Sequence, residues 1–107
     1  MEPLGDLEQL VLLAVLQSGE RAYGVPVQQE VRQRAGRDLT LGTIYKALSR
    51  LETKGLVASH VGEPTAERGG RAKRYYSVTA VGRRALRQNL FALRRMAAWL
   101  DVGLDTP

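Results

Sequence analysis

LTLGTIYKALSRLETKGL, residues 39–56, is the stretch on which the fold turns. Thr40 is a helix-start residue whose hydroxyl can accept one of the unpaired N–H groups of a first turn. Ile44, Leu48 and Leu51 follow at a four-then-three spacing that aligns them on one helix face. Gly55 marks the stop, because it can take the left-handed C′ conformation, and Leu56 then falls where a Schellman motif packs it back onto Leu51. The opposite face holds Gly42, Thr43, Lys46, Ser49, Arg50 and Thr53, with no acid among them. Small and hydroxylic residues permit close approach to a DNA major groove, while Lys and Arg bond phosphates or guanine edges. Taken alone, the same face equally suits an amphipathic helix turned to water, so its neighbours must decide.

Upstream, residues 4–18 form a strongly apolar helical segment with Asp6 and Glu8 near its positive N-terminal end. From Leu10 to Leu16 it is apolar almost all round, the pattern of a helix covered on more than one side. A chain this small has difficulty covering it alone, which points to a second subunit. A second helix is expected from Gly24 to Ala35, with Pro26 tolerated in its first turn, Val27, Val31 and Ala35 inward, and Gln28, Gln29, Arg32 and Arg34 outward. Two short helices in tight succession, the second with a groove-compatible face, make a helix-turn-helix.

After Gly55 the period changes. Residues 56–61 and 72–78 are short, β-branched or aromatic and bounded by glycines, so they read as the strands of a hairpin, with Tyr76 and Val78 toward the core. The loop between them, 62–71, contains Pro64, Gly69 and Gly70, and Arg68, Arg71, Lys73 and Arg74 crowd its end. Glycines between arginines let the backbone approach a surface while the guanidinium groups fan out. A basic loop in a hairpin directly after a helix-turn-helix occupies the position of a wing.

Thr79 is the expected N-cap of a last helix, about residues 80–100. Leu86, Leu90, Leu93, Ala97 and Leu100 repeat at the spacing of a coiled-coil seam and are the candidate dimer interface, with Ala85, Met96 and Trp99 widening the band. The expected architecture is therefore mainly α with a small β-hairpin: a winged helix-turn-helix over residues 1–79, then a C-terminal dimerisation helix and short tail over 80–107.

Composition narrows the function. Sixteen Lys and Arg against eleven Asp and Glu give a net charge of +5, which favours an anionic partner. There is no cysteine and His60 is the only histidine, so no metal ligand set is legible, and His60 reads as a strand surface residue. The acids are scattered and Ser59 and His60 point to opposite faces of a strand, which leaves no constellation for catalysis. No run approaches the roughly 20 apolar residues of a membrane span. No leader peptide is legible either, and the expected location is the cytoplasm.

Three groups of residues together resemble the PadR-type winged-helix transcriptional regulators. They are Tyr23-Gly24; Gly42-Thr43-Ile44-Tyr45 through Leu48, Leu51-Glu52 and Gly55-Leu56; and Gly69-Gly70-Arg71 leading to Arg74-Tyr75-Tyr76 and Thr79-Ala80-Val81-Gly82. Lys46 is a departure, since many relatives carry proline there, and the short C-terminus resembles the small branch of the family. The resemblance implies a homodimeric repressor of a pseudo-palindromic operator, with the helix holding Thr43, Tyr45 and Lys46 in the major groove and the wing on the minor groove or backbone.

The expected DNA-binding set is Tyr23, Thr40, Thr43, Tyr45, Lys46, Arg50, Arg68, Arg71, Lys73 and Arg74. Thr43, Lys46 and Arg50 are the candidates for reading base edges, and Tyr45 for positioning through its hydroxyl. Some relatives bind planar aromatic compounds at the dimer interface, so Trp99, the only tryptophan, is the candidate contact for a small aromatic effector; interface packing is its other reading. No cofactor is expected. The contrasting function is a winged helix that binds RNA or a protein and has no DNA operator.

Overall fold

The computed structural model describes residues 4–63 and 72–103. In chain order these form α1 (Asp6–Ser18), a 3-10 turn (Gly19–Arg21), α2 (Gly24–Ala35), α3 (Leu41–Thr53), β1 (Val57–Val61), β2 (Arg74–Val78), α4 (Ala80–Met96) and a second 3-10 turn (Ala98–Gly103). The fold is the expected winged helix-turn-helix with a long last helix.

Helix α3 is delimited by its own sequence. The Thr43 N–H donates to the Thr40 hydroxyl at 3.1 Å. At the other end Gly55 has φ +76°, its N–H donates to the Glu52 carbonyl at 2.9 Å, and the Leu56 N–H donates to the Leu51 carbonyl at 2.9 Å. These are the two bonds of a Schellman stop. Ile44, Leu48 and Leu51 are fully buried, and each such side chain contributes about 2–3 kcal/mol of hydrophobic stabilisation. They meet Val11, Leu12 and Val15 of α1, Val27 and Val31 of α2, and Leu56, Val57 and Tyr76 of the hairpin in one core.

The strands pair antiparallel, Val57 with Val78 and Val61 with Arg74, so the hairpin is shorter at each end than the expected 56–61 and 72–78. Tyr76 also donates its N–H to the Ala22 carbonyl at 2.8 Å, which ties β2 to the segment before α2. Tyr76 is buried and Val78 half-buried against the core, as the alternation requires. The first two turns of α4 enter the same core through Gly82, Ala85 and Leu86. The Thr79 hydroxyl serves both sides of this junction, accepting from the Gly82 N–H at 3.0 Å and donating to the Gly55 carbonyl at 2.7 Å.

Four expectations need correction. Ala35 is exposed rather than inward, because Gly36 at φ +66° ends α2 where it has already left the core. Gln28 is half-buried rather than outward, and its side-chain amide donates to the Leu39 carbonyl at 2.8 Å, satisfying the backbone just ahead of α3. Helix α4 ends at Met96, short of residue 100. Arg94 and Arg95 occupy its last turn, where cations suit the negative end of the helix, and Leu100 lies on the following 3-10 turn. Leu86, expected at a subunit seam, is 4% exposed within its own domain's core.

Candidate nucleic-acid interface

Thr43, Lys46 and Arg50 lie one turn apart along α3, and Lys46 and Arg50 are exposed. The face is held rigidly from beneath by the buried Ile44, Ala47, Leu48 and Leu51. With Gly5, Asp6, Leu7 and Glu8 these three residues line a shallow groove of about 230 Å³ between α3 and the start of α1. Neither Lys46 nor Arg50 is held in an ion pair among the described residues, in contrast to Lys54, whose ammonium sits 2.8 Å from the Glu8 carboxylate. Burial raises the Glu8 pKa, but hydrogen bonds from Lys54 and the Gly5 N–H, with the charges of Lys54 and Arg50, outweigh it. The carboxyl therefore stays below its ordinary value. An ionised Glu8 anchors α1 to the far end of α3.

The expected DNA-binding residues divide by what their polar atoms do. The Thr40 hydroxyl is occupied at both ends, accepting from the Thr43 N–H and donating to the Thr43 hydroxyl at 2.9 Å. Tyr45 is 44% exposed, yet its ring and hydroxyl lie against Gly24, where any Cβ would collide with both. That contact explains the glycine of the Tyr23-Gly24 pair: the start of α2 must have no side chain for Tyr45 to lie across it.

Tyr23 and Lys73 belong to a cluster on the outer face of the hairpin. The Tyr23 and Tyr75 rings meet edge to face at 5.5 Å, the His60 ring stacks on Tyr75 at 5.6 Å, and the Lys73 ammonium stands 4.9 Å from the centre of the Tyr23 ring. Arg74 is turned back toward α3. It donates to the Ser59 hydroxyl at 3.0 Å, and Ser59 donates in turn to the Glu52 carboxylate at 2.6 Å. Three elements are thus tied by one relay, from the last turn of α3 through β1 to the start of β2. Arg68 and Arg71 lie outside the described residues.

Sequence reasoning missed the Glu52–Ser59–Arg74 relay and the Gly24–Tyr45 contact. Both join residues at separations set by the packing of whole elements, and no local spacing signals them. The candidate dimer residues Leu90, Leu93 and Leu100 are 39%, 52% and 44% exposed, and Trp99 is 78% exposed. Around them Phe91 and Met96 also face solvent, while Ala97 is half-buried.

Residues 12–88 match the Transcriptional regulator PadR-like family. The chain belongs to this family. A PadR family transcription regulator from hypervirulent Clostridium difficile R20291 is 27% identical, with a TM-score of 0.75 over 94% of this chain and 99% of that one. A PadR family regulator from Eggerthella lenta is 28% identical, with a TM-score of 0.67 over 95% of this chain and 88% of that one. An uncharacterized protein of Lysinibacillus sphaericus is 28% identical over 103 residues, 94% of this chain and 90% of its own length. PadR-like proteins are transcriptional regulators rather than enzymes, and this chain is a DNA-binding transcriptional regulator of that kind. Among the described residues no helix is long and apolar enough to cross a membrane.

Proposed function

We propose that this protein is a homodimeric repressor that binds a pseudo-palindromic operator in its own or an adjacent control region, in the cytoplasm. The observation that carries the reading is the row of the half-buried Thr43 and the exposed Lys46 and Arg50 on a helix whose other face is buried. Recognition needs side chains presented on a rigid support, and α3 is capped at both ends and packed along its length. In this reading Thr43, Lys46 and Arg50 meet base edges and phosphates. Tyr45 positions the helix, and Lys73 with Arg68 and Arg71 forms the basic wing. Tyr23 supports Lys73, Thr40 acts as a cap, and Arg74 orients the wing through Ser59 and Glu52.

Dimerisation is assigned to the part of α4 beyond the core. Leu90, Leu93, Ala97 and Leu100 then form the seam, with Met96 beside it, whereas Leu86 belongs to the winged-helix domain. Exposed apolar side chains in a continuous band are what a subunit interface removes from water. Two recognition helices related by a two-fold axis would meet half-sites about 34 Å apart. An aromatic effector stacking on Trp99 would release the operator by changing the geometry of that seam.

The test is a titration of the protein into fluorescent duplexes tiling its upstream region, beside scrambled duplexes, at several salt concentrations. A preference of about 10³ or more for one segment is expected of a specific repressor. Lys46→Ala should weaken that complex and flatten its salt dependence. Equal binding to every duplex would overturn the operator reading and favour the protein- or RNA-binding alternative.

A further inference from the structure

Much of the chain's net positive charge lies away from the recognition helix and wing. Residues 1–79 carry eleven basic and nine acidic side chains, whereas α4 carries Arg83, Arg84, Arg87, Arg94 and Arg95 and no acid. Within the winged-helix region Arg32, Arg34, Arg37 and Lys54 are neutralised by Asp38, Glu30, Asp6 and Glu8. The five arginines of α4 are all exposed, and none forms an ion pair among the described residues. At 3.6 residues per turn they fall within an arc of about 120°, on the side of the helix away from Leu93, and extend along roughly 18 Å of its length. Phe91 lies within the arc and supports the Arg95 guanidinium, 5.7 Å from its ring centre. The edge has a definite place in the fold. Helix α4 leaves the hairpin at its Val57–Val78 end, whereas the wing loop leaves at the Val61–Arg74 end.

We propose that this arginine edge is a second DNA-binding surface, one that takes the sugar–phosphate backbone of duplex DNA without regard to sequence. Guanidinium groups bond phosphate oxygens through two parallel N–H donors and remain charged at any physiological pH. A protein partner of defined sequence calls for relief and mixed polarity. A row of identical forks on a helix edge suits a ligand that is itself a repeat of identical anions. Like charges on the same edge of a second copy would repel, so the edge is a poor surface for self-association. The surface gives the protein an affinity for any duplex and lets a dimer already seated through α3 hold a second DNA segment. The first consequence is independent of the operator reading; the second rests on it.

The test uses the full chain and the variant Arg84→Gln/Arg87→Gln/Arg95→Gln. Binding of a scrambled duplex is followed by fluorescence anisotropy across a salt series. The variant is expected to bind about 10–100-fold more weakly at low salt, with a log–log salt slope shallower by about two to three per protomer engaged. A complex preformed on the upstream duplex should capture a differently labelled scrambled duplex, and the variant should not. Unchanged affinity and slope for the scrambled duplex would overturn the proposal. So would dissociation of the variant to monomers in sedimentation, which would place the edge under a second copy, or loss of poly-glutamate binding with duplex binding intact. Lys46→Ala, with α4 untouched, separates the two readings: it should lower preference for the upstream segment and leave capture of the scrambled duplex in place.

Discussion

The two ends of α4 lie in opposite surroundings. Gly82, Ala85 and Leu86 are buried in a core where every apolar neighbour comes from the same chain, while Leu90, Leu93 and Met96 on the continuing helix stand in solvent. Composition does not separate these halves, since both carry apolar residues at helical spacing and both carry arginines. What separates them is reach. The core formed by α1, α2, α3 and the hairpin covers about two turns of α4 and then ends. The first half is an element of the domain, and the second leaves its apolar side chains in water, which is where the proposed dimer seam lies. The same apolar periodicity therefore means burial in the core at one end and, in the proposed reading, assembly at the other.

This contrast can be broken most directly in the core. Leu48→Ala, at a side chain with no exposure, is expected to cost about 2–5 kcal/mol in thermal or denaturant unfolding. Leu93→Ala should leave domain unfolding within about 1 kcal/mol of the parent at matched association state and act instead on the monomer–dimer equilibrium in sedimentation. Equal losses of domain stability at both sites would erase the distinction.

Gly82→Ala probes the junction itself. Its Cβ would run into the Leu56 carbonyl and approach within 2.9 Å of the Val78 side chain. A cost of about 1–3 kcal/mol follows from overpacking against backbone that cannot move aside, against a gain of about 1 kcal/mol in helix propensity that a free helix would show. Stabilisation on calorimetry would mean that α4 is not pressed onto the hairpin.

A smaller effect is expected at the start of α3. Thr40→Ala removes a cap and should cost about 1 kcal/mol, with Thr40→Ser restoring most of it. The smallest concerns pH. Because Glu8 has a lower pKa folded than unfolded, the unfolded chain binds more protons in that range. Its contribution is therefore complete above the ordinary carboxylate range and is lost as pH falls through the folded value. In Lys54→Met this part of the acid limb of an unfolding-versus-pH series should flatten. An unchanged limb would show that the Lys54–Glu8 pair carries no linkage.

Much of the candidate site was legible because its signals are local. The cap at Thr40, the stop at Gly55 and the apolar row Ile44, Leu48, Leu51 belong to one helix and follow from hydrogen-bond stereochemistry and the 3.6-residue turn, so the polar row Thr43, Lys46, Arg50 followed as their complement. The bonding of Arg74 was illegible for the opposite reason. Composition places it among the wing cations, but its guanidinium donates to Ser59, 15 residues away, which in turn donates to Glu52, and the nearness of all three depends on how the hairpin lies on α3.

What this sequence determined by itself was the order of its elements, the helix boundaries around the recognition helix, the alternation that turns Tyr76 inward and the family to which the chain belongs. Each is a statement about residues near one another along the chain, where bond geometry and side-chain period leave few choices. Only the tertiary structure decided why a side chain at Gly24 would displace Tyr45 and one at Gly82 would meet the Leu56 backbone, where the core stops along α4, and which cations are already neutralised. Those depend on close approach between distant segments. Excluded volume and Coulomb attraction act on distance in space, and a linear sequence does not contain that distance until the chain has packed.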